Sequence, residues 1–140
     1  MKKLFTFLLL LPLFTLAAGN SPINKDNIIT VTSNVPASIA LSHIKSLLEK
    51  QGYTIKELNE EAGTLSTEPK QNNFGATAIL VSIKKMDWTQ INISGSFAKE
   101  NDTTPASPVE FGNKDCEGAW TEFEDIAKAL KGIKVSYSRK

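Results

Sequence analysis

The side chains able to do chemistry are few in this sequence. His43 is its one histidine and Cys116 its one cysteine. In contact, the two would make a thiolate–imidazolium pair, the nucleophile of cysteine hydrolases. No spacing brings them together, and no glycine-rich or oxyanion segment surrounds Cys116, so the parts of such a site are missing. Zinc asks for three or four nitrogen and sulfur ligands, more than one histidine and one cysteine supply. His43 reads as a solvated residue on a helix flank. Cys116 reads as a free thiol near a helix N-terminus, where the dipole lowers its pKa. As a lone thiol it can enter only an intermolecular disulfide, giving a monomer or a Cys116-linked dimer. Glu57, Glu60 and Glu61 cluster near a turn, but acid–base work needs one carboxyl desolvated, and a charged turn is a solvated one. No catalytic, metal-ligating or cofactor-binding residue is assigned, and an enzyme is disfavoured.

The clearest structural signal runs from Pro36 to Thr67. Ala37, Ala40, Leu41, Ile44, Leu47 and Leu48 recur at a 3.6-residue period and form one continuous apolar stripe. Pro36 suits the first turn of that helix, and Gly52 sits where the chain must turn left-handed to leave it. Tyr53 can then fold back on Leu48. Beyond Gly52 the period changes to 2: Tyr53 and Ile55 share a face, Asn59–Gly63 turns, and Leu65 with Thr67 resumes a strand.

Ahead of this unit, residues 1–19 read as a signal peptide. Lys2 and Lys3 precede an apolar run of 13 residues, Leu4 to Leu16, followed by the small residues Ala17-Ala18-Gly19. As a helix, the run would span only about 20 Å against a bilayer core of roughly 30 Å, so no stable anchor is expected after cleavage. Removing Lys2 and Lys3 from the 16 basic residues leaves 14 against 15 acidic ones. A near-neutral chain without basic clusters argues against a nucleic-acid surface. Residues 20–27 read as a flexible leader and 28–140 as a single domain.

Ile28–Thr32 is β-branched and predicts a strand. Glu68–Asn73 reads as a loop. Ala76–Lys85 predicts a strand with Ile79, Val81 and Ile83 on one face. Gln90–Phe97 alternates, with Ile91, Ile93 and Phe97 inward, and Gly95 at an inward position implies a bulge or a close approach of a helix. A second helix is predicted over Glu117–Lys131, with Trp120, Phe123, Ala127 and Leu130 as its stripe and Ile126 alongside. Asp115 or Thr121 would cap it and Gly132 would end it. Ile133, Val135 and Tyr137 alternate and allow a short edge strand. The expected fold is α+β: an antiparallel sheet of about four to five strands, in the order β-α-β-β-β-β-α, with two helices packed on one face.

The phrase from Leu47-Leu48 through Gln51-Gly52-Tyr53-Thr54-Ile55 to Gly63-Thr64-Leu65 resembles the first half of a BamC-type domain. The resemblance extends more weakly to the hairpin around Asp87 and the helix at Glu117–Lys131. Such domains occur in the accessory lipoprotein of the outer-membrane β-barrel assembly machinery and in other small envelope proteins. The chain lacks that lipoprotein's lipid-bearing cysteine, its long extended N-terminal segment and its second domain copy. The resemblance implies a helix-grip-like fold and carries over no catalytic residue.

Two segments are candidates for recognition. Trp88 follows Asp87 at a hairpin tip, where packing and partner contact are both open to it. Lys99–Asp115 is a long loop presenting Thr103, Pro105 and Pro108, with Val109 and Phe111 placed to pin its far end and Phe111 also a possible contact. The chain is therefore expected to be an exported, periplasmic or secreted, non-enzymatic protein without cofactors. It would bind another envelope or secreted protein as an accessory module. The alternative is a small-ligand carrier using the cleft between helices and sheet.

Overall fold

The computed structural model describes residues 19–140. Apart from Gly19, the expected signal peptide lies outside the described residues. No helix among the described residues is long and apolar enough to cross a membrane.

The elements run β1 (Ile28–Ser33), α1 (Ala37–Lys50), β2 (Ile55–Asn59), β3 (Thr64–Thr67), β4 (Lys70–Gln71), β5 (Gly75–Lys85), β6 (Thr89–Lys99), β7 (Ser107–Pro108), a 3-10 turn (Lys114–Cys116), α2 (Glu117–Ala129) and β8 (Lys134–Ser138). The fold is α+β, but the antiparallel sheet has eight strands rather than four to five. Six lie side by side in the order β2-β3-β5-β6-β1-β8, while β4 pairs with β5 and β7 with β6. The extra strands have a plain cause. β4 and β7 are dipeptides inside polar loops, too short to show a period of 2, and β8 is the tail whose pairing the sequence left open.

Alternation puts one face of the sheet in the core. Ile79, Val81 and Ile83 of β5, Ile91, Ile93 and Phe97 of β6, Ile29 and Val31 of β1, and Leu65 of β3 are all buried. They join the buried stripes of α1 (Ala40, Leu41, Ile44, Leu48) and α2 (Ala119, Trp120, Phe123, Ile126, Ala127) in one cluster. Helix α1 packs against β2, β3, β5 and β6, and α2 against β1 and β6. Gly95 is the contact point for α2. A Cβ there would lie 2.6 Å from the Phe123 Cζ and would strike the Ala78 carbonyl oxygen. The β5–β6 register runs unbroken through Gly95, so the glycine serves close approach and not a bulge.

Helix ends depart from the sequence reading in detail. Pro36 is the N-cap of α1, not its first helical residue. At the C-terminus Gly52 is left-handed (φ 88°) and the Tyr53 N–H donates to the Leu48 carbonyl at 3.0 Å, as the glycine stop implies. Neither Asp115 nor Thr121 caps α2. Asn113 Oδ1 accepts from the Asp115 N–H at 3.0 Å and starts a 3-10 turn, while the Thr121 hydroxyl donates to the Glu117 carbonyl inside the helix. Helix α2 ends at Ala129, and Lys131, not Gly132, takes the left-handed conformation (φ 50°). Gly132 is needed for space: a Cβ there would strike Val31 and lie 2.6 Å from the Thr32 carbonyl oxygen.

The leader 20–27 is not free. The Lys25 N–H donates to the Phe111 carbonyl at 3.0 Å, and the Phe111 N–H returns a bond to the Asp26 carbonyl at 2.8 Å. The Asn20 amide clasps both backbone groups of Tyr137, and Asp26 is 3% exposed. A run of turn formers reads as mobile, and only the partner backbone, more than 80 residues away along the chain for Phe111, reveals the docking.

Candidate functional site

The longest pairing in the sheet is the β5–β6 hairpin, which carries Met86, Asp87 and Trp88 at its tip. Lys85 pairs with Thr89 and the Met86 N–H donates to the Trp88 carbonyl at 3.1 Å, so the turn is short and closed. Thr89 takes the last inward position, is buried, and donates its hydroxyl to the Val35 carbonyl at 2.6 Å. That bond ties the tip to the β1–α1 link, whose own Val35 N–H donates to Ser33 Oγ at 3.1 Å. With Thr89 filling the inward position, Trp88 is displaced from the core: it is 52% exposed, beside Met86 at 63%. Of the two roles open to Trp88, packing in the core is thereby removed.

Two open grooves, each about 510 Å³, flank this end. One runs between the hairpin tip and the β1–α1 link, lined by Val35, Pro36, Met86 and Trp88. The other lies between α1 and the β2–β3 turn over an apolar floor of Leu41, Leu58 and Ile83, with Lys45, Glu60 and Glu61 along it. They share Ala37, Ser38 and Lys85, so the two form one surface around the start of α1. The cleft between helices and sheet, by contrast, is filled by Ile44, Leu48, Phe123 and Ile126, all without exposure.

The second predicted segment lies elsewhere. Lys99 and Trp88 flank opposite ends of the 11-residue strand β6. At about 3.3 Å per residue this separates them by roughly 33 Å, so the hairpin tip and the loop cannot form one site. Asp87 is exposed with Trp88, and Thr103, Pro105 and Pro108 are exposed in the loop. Phe111 is not a free contact: it is half-buried, and its ring lies 5.7 Å from that of Trp120. Within the loop, the Thr104 N–H donates to Asp102 Oδ1 at 2.9 Å, which holds that carboxyl below the usual range. Val109, fully buried, pins the far end as expected, with its N–H on the Gly95 carbonyl.

Cys116 departs furthest from its sequence reading. It does precede α2, but it is 2% exposed. Burial pushes its thiol pKa up, outweighing the Glu110 N–H that points at the sulfur from 3.4 Å. A buried, protonated thiol neither attacks nor couples chains. Mild oxidation of the folded protein should therefore leave monomer on non-reducing electrophoresis, and a thiol reagent should label Cys116 only after denaturation. A disulfide dimer formed under native conditions would contradict this burial.

His43 is exposed on the flank of α1, and Glu57, Glu60 and Glu61 are exposed at and beside the β2–β3 turn. Among the described residues, no three His, Cys, Asp or Glu side chains converge as a metal site would require.

One polar network had no sequence signal. The Tyr53 hydroxyl donates to Glu122 Oε2, and Lys70 Nζ sits 3.7 Å from Glu122 Oε1, 3.0 Å from the Gln51 carbonyl and 4.4 Å above the Tyr53 ring. Burial, then the adjoining carboxylate, raises the Tyr53 pKa. The network joins the end of α1, strand β4 and helix α2. Its members are far apart in sequence, so no local pattern could have found it. A scan against protein-family models finds no matching family for this chain, and a search of the curated proteins finds no match.

Proposed function

We propose that the chain is an exported, non-enzymatic binding protein whose Trp88 end docks another envelope or secreted protein. The observation that carries this reading is the exposure of Trp88 and Met86 at the tip of the longest hairpin, held by the Thr89–Val35 bond. Tryptophan on a fixed scaffold, beside a groove, is the residue type and setting in which contact energy concentrates. A non-enzymatic role is supported by the buried hydroxyl and thiol, Tyr53 and Cys116, whose pKa values are both raised, the direction opposite to an activated nucleophile. Export rests on Lys2-Lys3, the apolar run and Ala17-Ala18-Gly19. An accessory role of the kind implied by the BamC-type resemblance belongs to the same proposal.

The test is titration calorimetry against the partner recovered from the exporting host. Trp88→Ala should weaken binding by about 1–3 kcal/mol with an unchanged melting temperature. Replacing Thr103–Pro108 with a Gly/Ser linker, at the opposite end of the sheet, should leave binding intact. The reverse pattern would move the interface to the loop.

A small-ligand carrier is the second reading. The groove over Leu41, Leu58 and Ile83 favours it, because about 510 Å³ falls in the range of small-molecule sites. Leu58→Lys should then abolish ligand uptake while leaving protein docking at Trp88 unchanged.

A further inference from the structure

Among the described residues, no helix packs on the sheet face turned away from α1 and α2. Its central row crosses from Thr64 through Ser82, Asn92 and Thr30 to Ser136, each pair in register. The Thr30 hydroxyl donates to Asn92 Oδ1 at 2.7 Å within that row. Alongside it, Ser66 pairs with Leu80 and Leu80 with Ser94. No charged residue stands at any of these positions, although 22% of the chain is charged; Lys84 and Lys134 stand on the same face in the row nearer the hairpin tip. The exposed helix surfaces carry their share, with Glu49 and Lys50 on α1 and Glu117, Asp125 and Lys128 on α2. Depletion of charge at the centre of a surface is what distinguishes the core of an interface.

The margins of this face differ in sign. Residues 55–63, at the β2 edge, hold one basic and three acidic side chains, a net −2; residues 131–140, at the β8 edge, hold four basic and no acidic ones, a net +4. We infer that the open face packs against the same face of a second copy about a two-fold axis parallel to the strands. That axis reverses left and right and lays the acidic β2 margin of each copy over the basic β8 margin of the other. Small serine, threonine and alanine side chains let the two sheets approach closely, at an angle within about 30°. Outward positions number two on each of β2 and β3, five on each of β5 and β6 and three on each of β1 and β8; at about 32 Å² apiece they give a face of roughly 640 Å², above the roughly 600 Å² per partner at which specific interfaces begin. A standard interface buries about 800 Å² per partner. The same axis preserves direction along the strands, so both Trp88 tips emerge on one side. The dimer is bivalent, and a partner presenting two sites is held by avidity.

Sedimentation velocity on the purified chain, from micromolar to several hundred micromolar, tests this. A monomer–dimer equilibrium is expected. Leu80→Arg, at a position 49% exposed, should raise the dissociation constant at least tenfold without lowering the melting temperature. Glu57→Lys should raise it about threefold, and adding Lys140→Glu should restore it. Glu57 shares its row with Ser138, two residues before Lys140, on the opposite edge of the sheet about 24 Å away, so rescue can act only between copies. A monomer at every concentration, species growing beyond dimer, or failure of the charge rescue would each overturn the inference.

Discussion

Replacing Phe123 with alanine is expected to destabilise the domain by about 3–5 kcal/mol, the range for a buried phenylalanine whose site cannot collapse. Phe123 has no exposure and its ring lies over bare backbone at Gly95, so the cavity would be floored by main chain. That floor is fixed, because β6 is held between β5 on one side and β1 on the other. Lys128→Ala, on the exposed side of the same helix, should change stability by less than about 0.5 kcal/mol. Urea midpoints distinguish the two; equal midpoints would mean that α2 does not pack on the sheet through this face.

Leu48→Ala is expected to cost about 2–5 kcal/mol for the same reason at the other helix. Leu48 is fully buried, and its carbonyl also receives the Tyr53 N–H that closes the helix end. Loss of its side chain would loosen the packing under that closure and, through Tyr53, the bond to Glu122. Lys45→Ala removes a half-exposed partner of Glu49 at 3.5 Å, an i,i+4 pair contributing a few tenths of a kcal/mol, and should stay within about 0.5 kcal/mol. Matching midpoints for these two variants would mean that the face of α1 has been misassigned.

Legibility followed range. The stripes of α1 and α2 and the alternation of β5 and β6 could be read from residue spacing, because they are local patterns with a fixed period; at Gly95 spacing left a bulge or a close approach open, and the unbroken β5–β6 register decides between them. The features misread are those set by a distant partner. The leader looked mobile until Asp26 met Phe111, and Phe111 was open to pinning the loop or to contact until its packing on Trp120 left the pin. Cys116 shows a competition between two causes: a position before a helix lowers a thiol pKa and burial raises it, and only the fold decides that burial wins. For the candidate site, the sequence named Trp88 and Asp87 but also a loop roughly 33 Å away, since both read as exposed turns and nothing local says which ends of a strand lie together. The grooves around Ala37, Ser38 and Lys85 join three separate stretches of chain and had no sequence signature.

The central claim is that recognition lies at the Trp88 end. Site-specific photocrosslinking in the native host tests it most directly, with p-benzoylphenylalanine placed in turn at Trp88, His43 and Thr103. A single partner adduct at position 88, absent at 43 and 103, is the predicted result. Adducts at 103 or 43 without one at 88 would contradict it and place the interface on the loop or on the flank of α1.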